Sequence, residues 1–265
     1  MSKHVLFQMP TPLRQSLIDG HLFYVEQAKA RLLMQFSELE ASENAELFIK
    51  NWMKENEHRF VPSFHDEGDS YAEACERYHA LLDLGNQTRL SVVAGMFHEW
   101  EKQLRQWLTG EVRRWHDGDC FLQAIWALNF SQIIKLLKSA QWDISGQNYY
   151  RQLNLCRLIV NVYKHGKGSA LNDLLKKHPE YLSKPFDSTP LALDDASFNS
   201  YFAIHTFLKV SDEQIQEFSD SIVAFWQAVP KNIFNLDVDM LPNKLKNAIT
   251  EDAKASCTQL GGKHD

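Results

Sequence analysis

Residues 90–108 read LSVVAGMFHEWEKQLRQWL. Leu90, Val93, Ala94, Phe97, Glu101, Leu104 and Leu108 recur at intervals of three or four, the period of a helix with one face turned inward. All but Glu101 are apolar, so the stretch predicts an amphipathic helix and sets the period for its flanks. Glu101 falls three residues after His98, which makes the two neighbours on a helix surface.

Working toward the N-terminus, Ser70 and Glu73 have the spacing of a capping box and predict a helix from Tyr71 to about Leu84, with a break at Gly85-Asn86. Pro62 and Gly68 mark a loop over Val61 to Asp69. Val25, Ala28, Leu32, Leu33 and Phe36 predict a helical run over Phe23 to Lys54, and Pro10 and Pro12 read as an N-terminal arm or loop.

Toward the C-terminus, Gly118 separates the central helix from one over Phe121 to Lys138, and Ser145-Gly146 is a further break. A helix over Gln147 to Lys164 ends at Gly166 and Gly168, because glycine accepts the positive φ that follows a last turn. Ser169 reads as the cap of a short helix to Lys177. Pro179, Pro185 and Pro190 punctuate the next stretch, and Tyr201 to Val210 fits a short strand or an extended crossing segment. Ser211 and Gln214 form another capping box, flanked by a Val210/Ile215 staple, and its helix stops at Pro230.

Helix, short loop and helix over most of the length give a mainly all-α fold, a helical bundle with extra helices at both ends. The expected organisation is an arm over 1–20, a bundle over 21–178, a C-terminal helical extension over 179–255 packed on the same core, and a frayed tail over 256–265.

Composition narrows the function classes. With 265 residues, 44% of them hydrophobic, the chain can bury a substantial core. A net charge of −6 argues against a protein that coats nucleic acid, though not against a small local anion site. The four cysteines form no CxxC pair, so structural zinc is not expected, and the chain carries no Walker A, GxGxxG or GxSxG motif. No cofactor is implied. No apolar run is long enough to span a membrane, and the first residues lack a signal-peptide pattern, so the expected setting is the reducing cytoplasm.

The chemistry concentrates in RLIVNVYKHG, residues 157–166. Arg157, Asn161 and His165 are spaced four apart and share one stripe of a continuous helix. Three polar groups inside an apolar run either form a buried hydrogen-bonded ladder or line a groove. Lys164 and Lys167 flank His165, and Gly166 and Gly168 leave room at the backbone, an arrangement suited to a phosphate.

The Asn161–His165 run, with the aromatic-rich segment MFHEWEKQL at 96–104, resembles the motif of HEPN-domain proteins, a family of small helical bundles. Catalytic members carry an Arg, often followed by a polar residue, and a His a few residues on near a helix end. The resemblance covers about Leu90 to Lys177. Asn161 and His165 match the Asn-x-x-x-His half, Val160 stands at the usual Arg position, and Arg157 lies one turn earlier. The resemblance implies a metal-independent endoribonuclease, often a toxin or phage-defence effector, with RNA as substrate and a site built across a homodimer. It makes His165 the proton-transfer group and Arg157 or Lys164 the cation. Asn161 would orient the imidazole or a phosphate oxygen, and Lys164, Gly166 and Lys167 would bind phosphate.

Two other readings remain open at this stage. One is a non-catalytic helical module that binds a partner protein or nucleotide. The other is an antitoxin-like or regulatory partner, which predicts a large exposed apolar patch. His98 and Glu101 are secondary site candidates, since a carboxylate at that spacing can orient a histidine. His58, His65, Asp66, Glu67 and Asp69 read as a solvated polar loop, and Trp226 as either packing or a dimer surface.

Overall fold

The computed structural model describes residues 4–56, 64–182 and 208–261, and the side chains of residues 38, 64–69 and 256–261 are left aside. Among the described residues the fold is mainly all-α, with a small two-strand sheet. Among the described residues, no helix is long and apolar enough to cross a membrane. The chain forms two compact units: one of Met1–His21, Phe97–Leu155 and Glu217–Asp265, the other of Leu22–Met96 and Cys156–Gln216. Both are assembled from segments far apart in sequence, unlike the consecutive blocks the sequence suggested.

In the first unit the N-terminus is no arm. Strand β1 (Phe7–Gln8) pairs antiparallel with β2 (Asn232–Ile233), and helix α1 (Thr11–Ala28) starts directly after Pro10. Pro12 suits the first turn of a helix, where its missing N–H would have no partner anyway. Phe7 and Met9 are buried; the Trp107 indole donates to the Gln8 carbonyl at 3.0 Å and Trp115 to the Leu6 carbonyl at 2.8 Å. These contacts close the strand over the end of α3 (Phe64–Val112), the helix that carries the central motif.

The expected helix over Phe121 to Lys138 is two, α4 (Asp119–Trp126) and α5 (Phe130–Ser139). Helix α4 ends with Ala127 as its C-cap, and Asn129 starts α5: its side chain accepts from the Gln132 N–H at 2.9 Å, and the Gln132 side chain accepts from the Asn129 N–H at 3.0 Å. This reciprocal cap satisfies first-turn donors and outcompetes continuation of the helix. The core gathers around Phe225, with the Trp100 ring edge-on at 5.1 Å and the Trp142 ring at 5.2 Å. Trp226 is fully buried, which decides for packing within the unit rather than a dimer surface.

In the second unit the expected run over Phe23 to Lys54 is interrupted. After α1 come a π-helical turn (Lys29–Leu33) and a 3-10 turn (Met34–Phe36) before α2 (Glu38–Glu55). Ser37 caps α2 by accepting from the Glu40 N–H at 3.1 Å. The irregular turns shift the inward face, so Leu33 is buried while Leu32 is 45% exposed.

Helix α3 is continuous from Phe64, so the loop to Asp69, the cap at Ser70 and the break at Gly85-Asn86 give way to helix. Ser70 is buried within it. A Cβ on Gly85 would come within 2.8 Å of the Phe36 Cβ, so this glycine permits close approach instead of ending the helix. Asn86 donates to the Leu208 carbonyl at 2.7 Å, a role for polarity that spacing had suggested as a break.

Helices α6 (Asn148–His165) and α7 (Ser169–Lys177) follow nearly as expected, except that Gly168 holds the cap position and Ser169 is the first helical residue. Leu208 forms an isolated antiparallel bridge with Leu182, and residues 201–207 of the segment read as a strand or extended crossing lie outside the described residues. Helix α8 (Asp212–Ala228) begins with the predicted box: the Ser211 N–H donates to Gln214 Oε1 at 2.8 Å and the Gln214 N–H to Ser211 Oγ at 3.2 Å. Val210 and Ile215 are both buried beside it. Helix α9 (Asn243–Gly261) carries backbone helix past 256, where fraying was expected.

Candidate functional site

The stripe of polar groups lies on the half of α6 that belongs to the second unit. Cys156, Leu158, Ile159, Val160 and Val162 are buried there, and they fix which side faces inward. Arg157 and Asn161 sit at the margin of that face, half-buried, and His165 is exposed one turn further on. The stripe therefore runs from the edge of the core into solvent, and it is not a sealed ladder. Arg157 is engaged within the fold, so it is already held in place.

The helix end is built as the glycines require. The Gly166 N–H donates to the Val162 carbonyl at 2.8 Å, and Gly166 takes a φ of +69°, where a side chain would be strained. Gly168, at φ +146°, has open space where a Cβ would stand. The last turn is anchored sideways by the Tyr163 and Ser91 hydroxyls, 2.7 Å apart. Lys164, His165 and Lys167 are all exposed around this point. The arrangement presents an imidazole and two ammonium groups at one anchored helix end. It can accept an anion and exchange a proton with it.

His98 and Glu101 belong to the first unit, whereas the stripe belongs to the second. Glu101 pairs with Arg105, Oε1 to Nη2 at 2.7 Å, and His98 is exposed with its ring against Phe97. Arg105 is buried and donates to the carbonyls of Ile125 at 2.9 Å and Trp126 at 3.1 Å, closing the end of α4. Glu101 thus neutralises a buried guanidinium, whereas helical spacing alone had paired it with His98. His58 lies outside the described residues, and His65, Asp66, Glu67 and Asp69 fall in the opening turns of α3 with side chains outside the description.

Two titratable pairs were not anticipated. His116 Nε2 lies 2.8 Å from Asp252 Oδ2, and the same carboxylate accepts the N–H groups of Cys120 at 3.0 Å and Phe121 at 2.9 Å. Burial pushes Asp252 upward, but the hydrogen bonds from His116, Phe121 and Cys120 outweigh it and hold the group down at about 2. The hydrogen bond to Asp252, with burial, raises the Cys120 thiol, so this cysteine is not an activated nucleophile. His21 Nε2 meets Ser219 Oγ at 2.9 Å in the interior, and burial lowers the imidazole to about 4. Among the described residues, no group of three or more His, Cys, Asp or Glu side chains is placed to hold a metal ion.

Comparison with family models, with curated proteins and with solved structures returned no match.

Proposed function

We propose that this chain is a metal-independent endoribonuclease of the HEPN kind, with His165 as its proton-transfer group. One observation carries the reading: the imidazole is exposed at an anchored helix end, with Lys164 and Lys167 beside it and Arg157 and Asn161 following it down the same stripe. RNA scission by this chemistry needs no metal. The ribose 2′-oxygen attacks the adjacent phosphorus, a base takes the 2′-hydroxyl proton, and the P–O5′ bond breaks as an acid protonates the leaving oxygen. A cation beside the phosphate offsets the charge that builds up in the transition state. One imidazole cannot serve as base and acid in the same step, so the chemistry favours two copies of α6 facing one phosphate. The substrate is RNA, the working form a homodimer, and a toxin or phage-defence role would call for a neutralising partner protein.

The test is incubation of the purified protein with RNA in a chelator. Fragments ending in a 2′,3′-cyclic phosphate are expected from the natural chain and none from His165→Ala. Equal cleavage by both proteins removes His165 from the mechanism, and a monomeric solution mass removes the shared site.

A second reading has its own support. Leu22 and Phe23 on α1, Met34 in the 3-10 turn and Leu39 and Leu47 on α2 are large apolar side chains left exposed. Val160, at the position where the motif carries its Arg, is buried. A non-catalytic module that docks a partner protein accounts for both. In that case neither RNA cleavage nor His165 dependence is seen.

A further inference from the structure

The first unit holds an open cavity of about 510 Å³ between the end of α3 and α4, a volume in the range of small-ligand sites. Its walls combine groups rarely left idle together. Trp126 presents an indole that is 47% exposed. Arg113 is exposed, and among the described residues its guanidinium has no hydrogen bond or ion pair. The carboxamides of Gln106 and Gln123 are likewise exposed and unengaged among the described residues. Gly110 forms a bare stretch of wall, with nothing within 4 Å of where a Cβ would stand. Asp119 contributes a carboxylate at the rim.

We propose that this cavity binds an unpaired nucleotide of a single-stranded RNA. An indole face offers a stacking platform to a base, and stacking tolerates any base because each has a π-face. A carboxamide both donates and accepts, which matches the mixed donor and acceptor edge of a nucleobase. The guanidinium suits a backbone phosphate, and a carboxylate suits a base amino group. An apolar peptide side chain would fill such a cavity without using the two carboxamides or the guanidinium. A free phosphate would leave the indole unused. The net charge of −6 keeps sequence-independent adhesion weak, so binding depends on these few groups. The inference goes beyond the nuclease reading, because it concerns the other unit and none of the residues of the α6 stripe.

The experiment measures anisotropy of a fluorescently labelled, single-stranded 2′-O-methyl oligoadenylate with the full chain. The methyl group blocks the attacking oxygen, so binding is read apart from cleavage. Trp126→Ala is expected to weaken binding about five- to a hundredfold, with Trp126→Phe retaining most of the affinity. Arg113→Gln should lower the slope of log affinity against log salt by about 0.7, the loss of one phosphate contact on a single strand. Both side chains are exposed, so an unchanged unfolding curve should accompany each variant. No binding at low salt, or equal binding by Trp126→Ala and the natural chain, overturns the proposal. Trp126-dependent binding without cleavage of ordinary RNA sustains it while overturning the nuclease reading.

Discussion

The Asp252 carboxylate lies 2.8 Å from His116 Nε2, although the two residues are 136 positions apart in the chain. Asp252 stands on α9 and fills the space that a side chain at Gly118 would need: a Cβ there would come within 2.0 Å of the Asp252 Cγ. A carboxylate from one helix thus caps the N-terminus of another, taking the free N–H groups of Cys120 and Phe121 and meeting the positive end of the helix dipole. Asp252→Ala strips both amides of their acceptor and is expected to cost about 2 kcal/mol in denaturant unfolding. Asp252→Asn keeps one acceptor and should lose less. If the Ala variant unfolds with the natural midpoint, the cap contributes nothing to stability.

His21 predicts how stability follows pH. Its folded value, lowered by burial to about 4, lies below the ordinary 6.5, so the unfolded chain binds the proton more readily. Between those limits the unfolded state carries more protons, and stability must fall as pH drops. From pH 7 to pH 5 the loss from this one group comes to about 2 kcal/mol. His21→Gln retains a polar partner for Ser219 and cannot charge. Its urea midpoint should therefore change less over the same interval than that of the natural chain.

Glu101 was singled out for its distance from His98, and the structure gives it a different partner. Removing it leaves the buried Arg105 guanidinium without its counter-charge. Glu101→Ala should therefore destabilise the protein by about 2 kcal/mol, since the Arg105 bonds to Ile125 and Trp126 persist but the charge is uncompensated. His98→Ala, at an exposed position, should stay within about 0.5 kcal/mol. RNA cleavage lost in His98→Ala with unfolding unchanged would return the pair to the site.

What could be read in advance follows the range of the interactions. The face of α3 around Leu90, Val93, Phe97, Leu104 and Leu108 was legible because its partners recur within a turn, and all five residues are buried. The box at Ser211 and Gln214 was legible for the same reason. Local signals failed where a distant residue changed their meaning. Gly85 reads as a break until Phe36 is seen against it, and Ser70 reads as a cap until it is found buried inside a longer helix. The two titratable pairs were beyond reach, since nothing near His116 in sequence announces Asp252, and nothing near His21 announces Ser219. In the α6 stripe, spacing predicted the shared face, and the glycines predicted where it ends. How far each group is exposed depended on Leu158, Ile159 and Val162, which fix the rotation of the helix against the core.

Val160 supplies the last prediction, because it separates resemblance from geometry. The motif places its Arg immediately before the Asn, and restoring it as Val160→Arg looks like a repair. Val160 is 2% exposed, however, among Ile159 and Val162, so the new guanidinium would be driven into aliphatic packing. An unpaired buried charge of this kind costs about 4 kcal/mol or more, and the variant should unfold or lose its cooperative transition instead of gaining activity. Arg157 already occupies the margin of the same stripe, one turn earlier, where it is half-buried. Under the nuclease reading Arg157→Gln should lower the cleavage rate by about a hundredfold with little change in RNA affinity, and Arg157→Lys should recover part of it. A folded, more active Val160→Arg, or an Arg157→Gln that differs only in its unfolding midpoint, would show that the cation comes from somewhere other than Arg157.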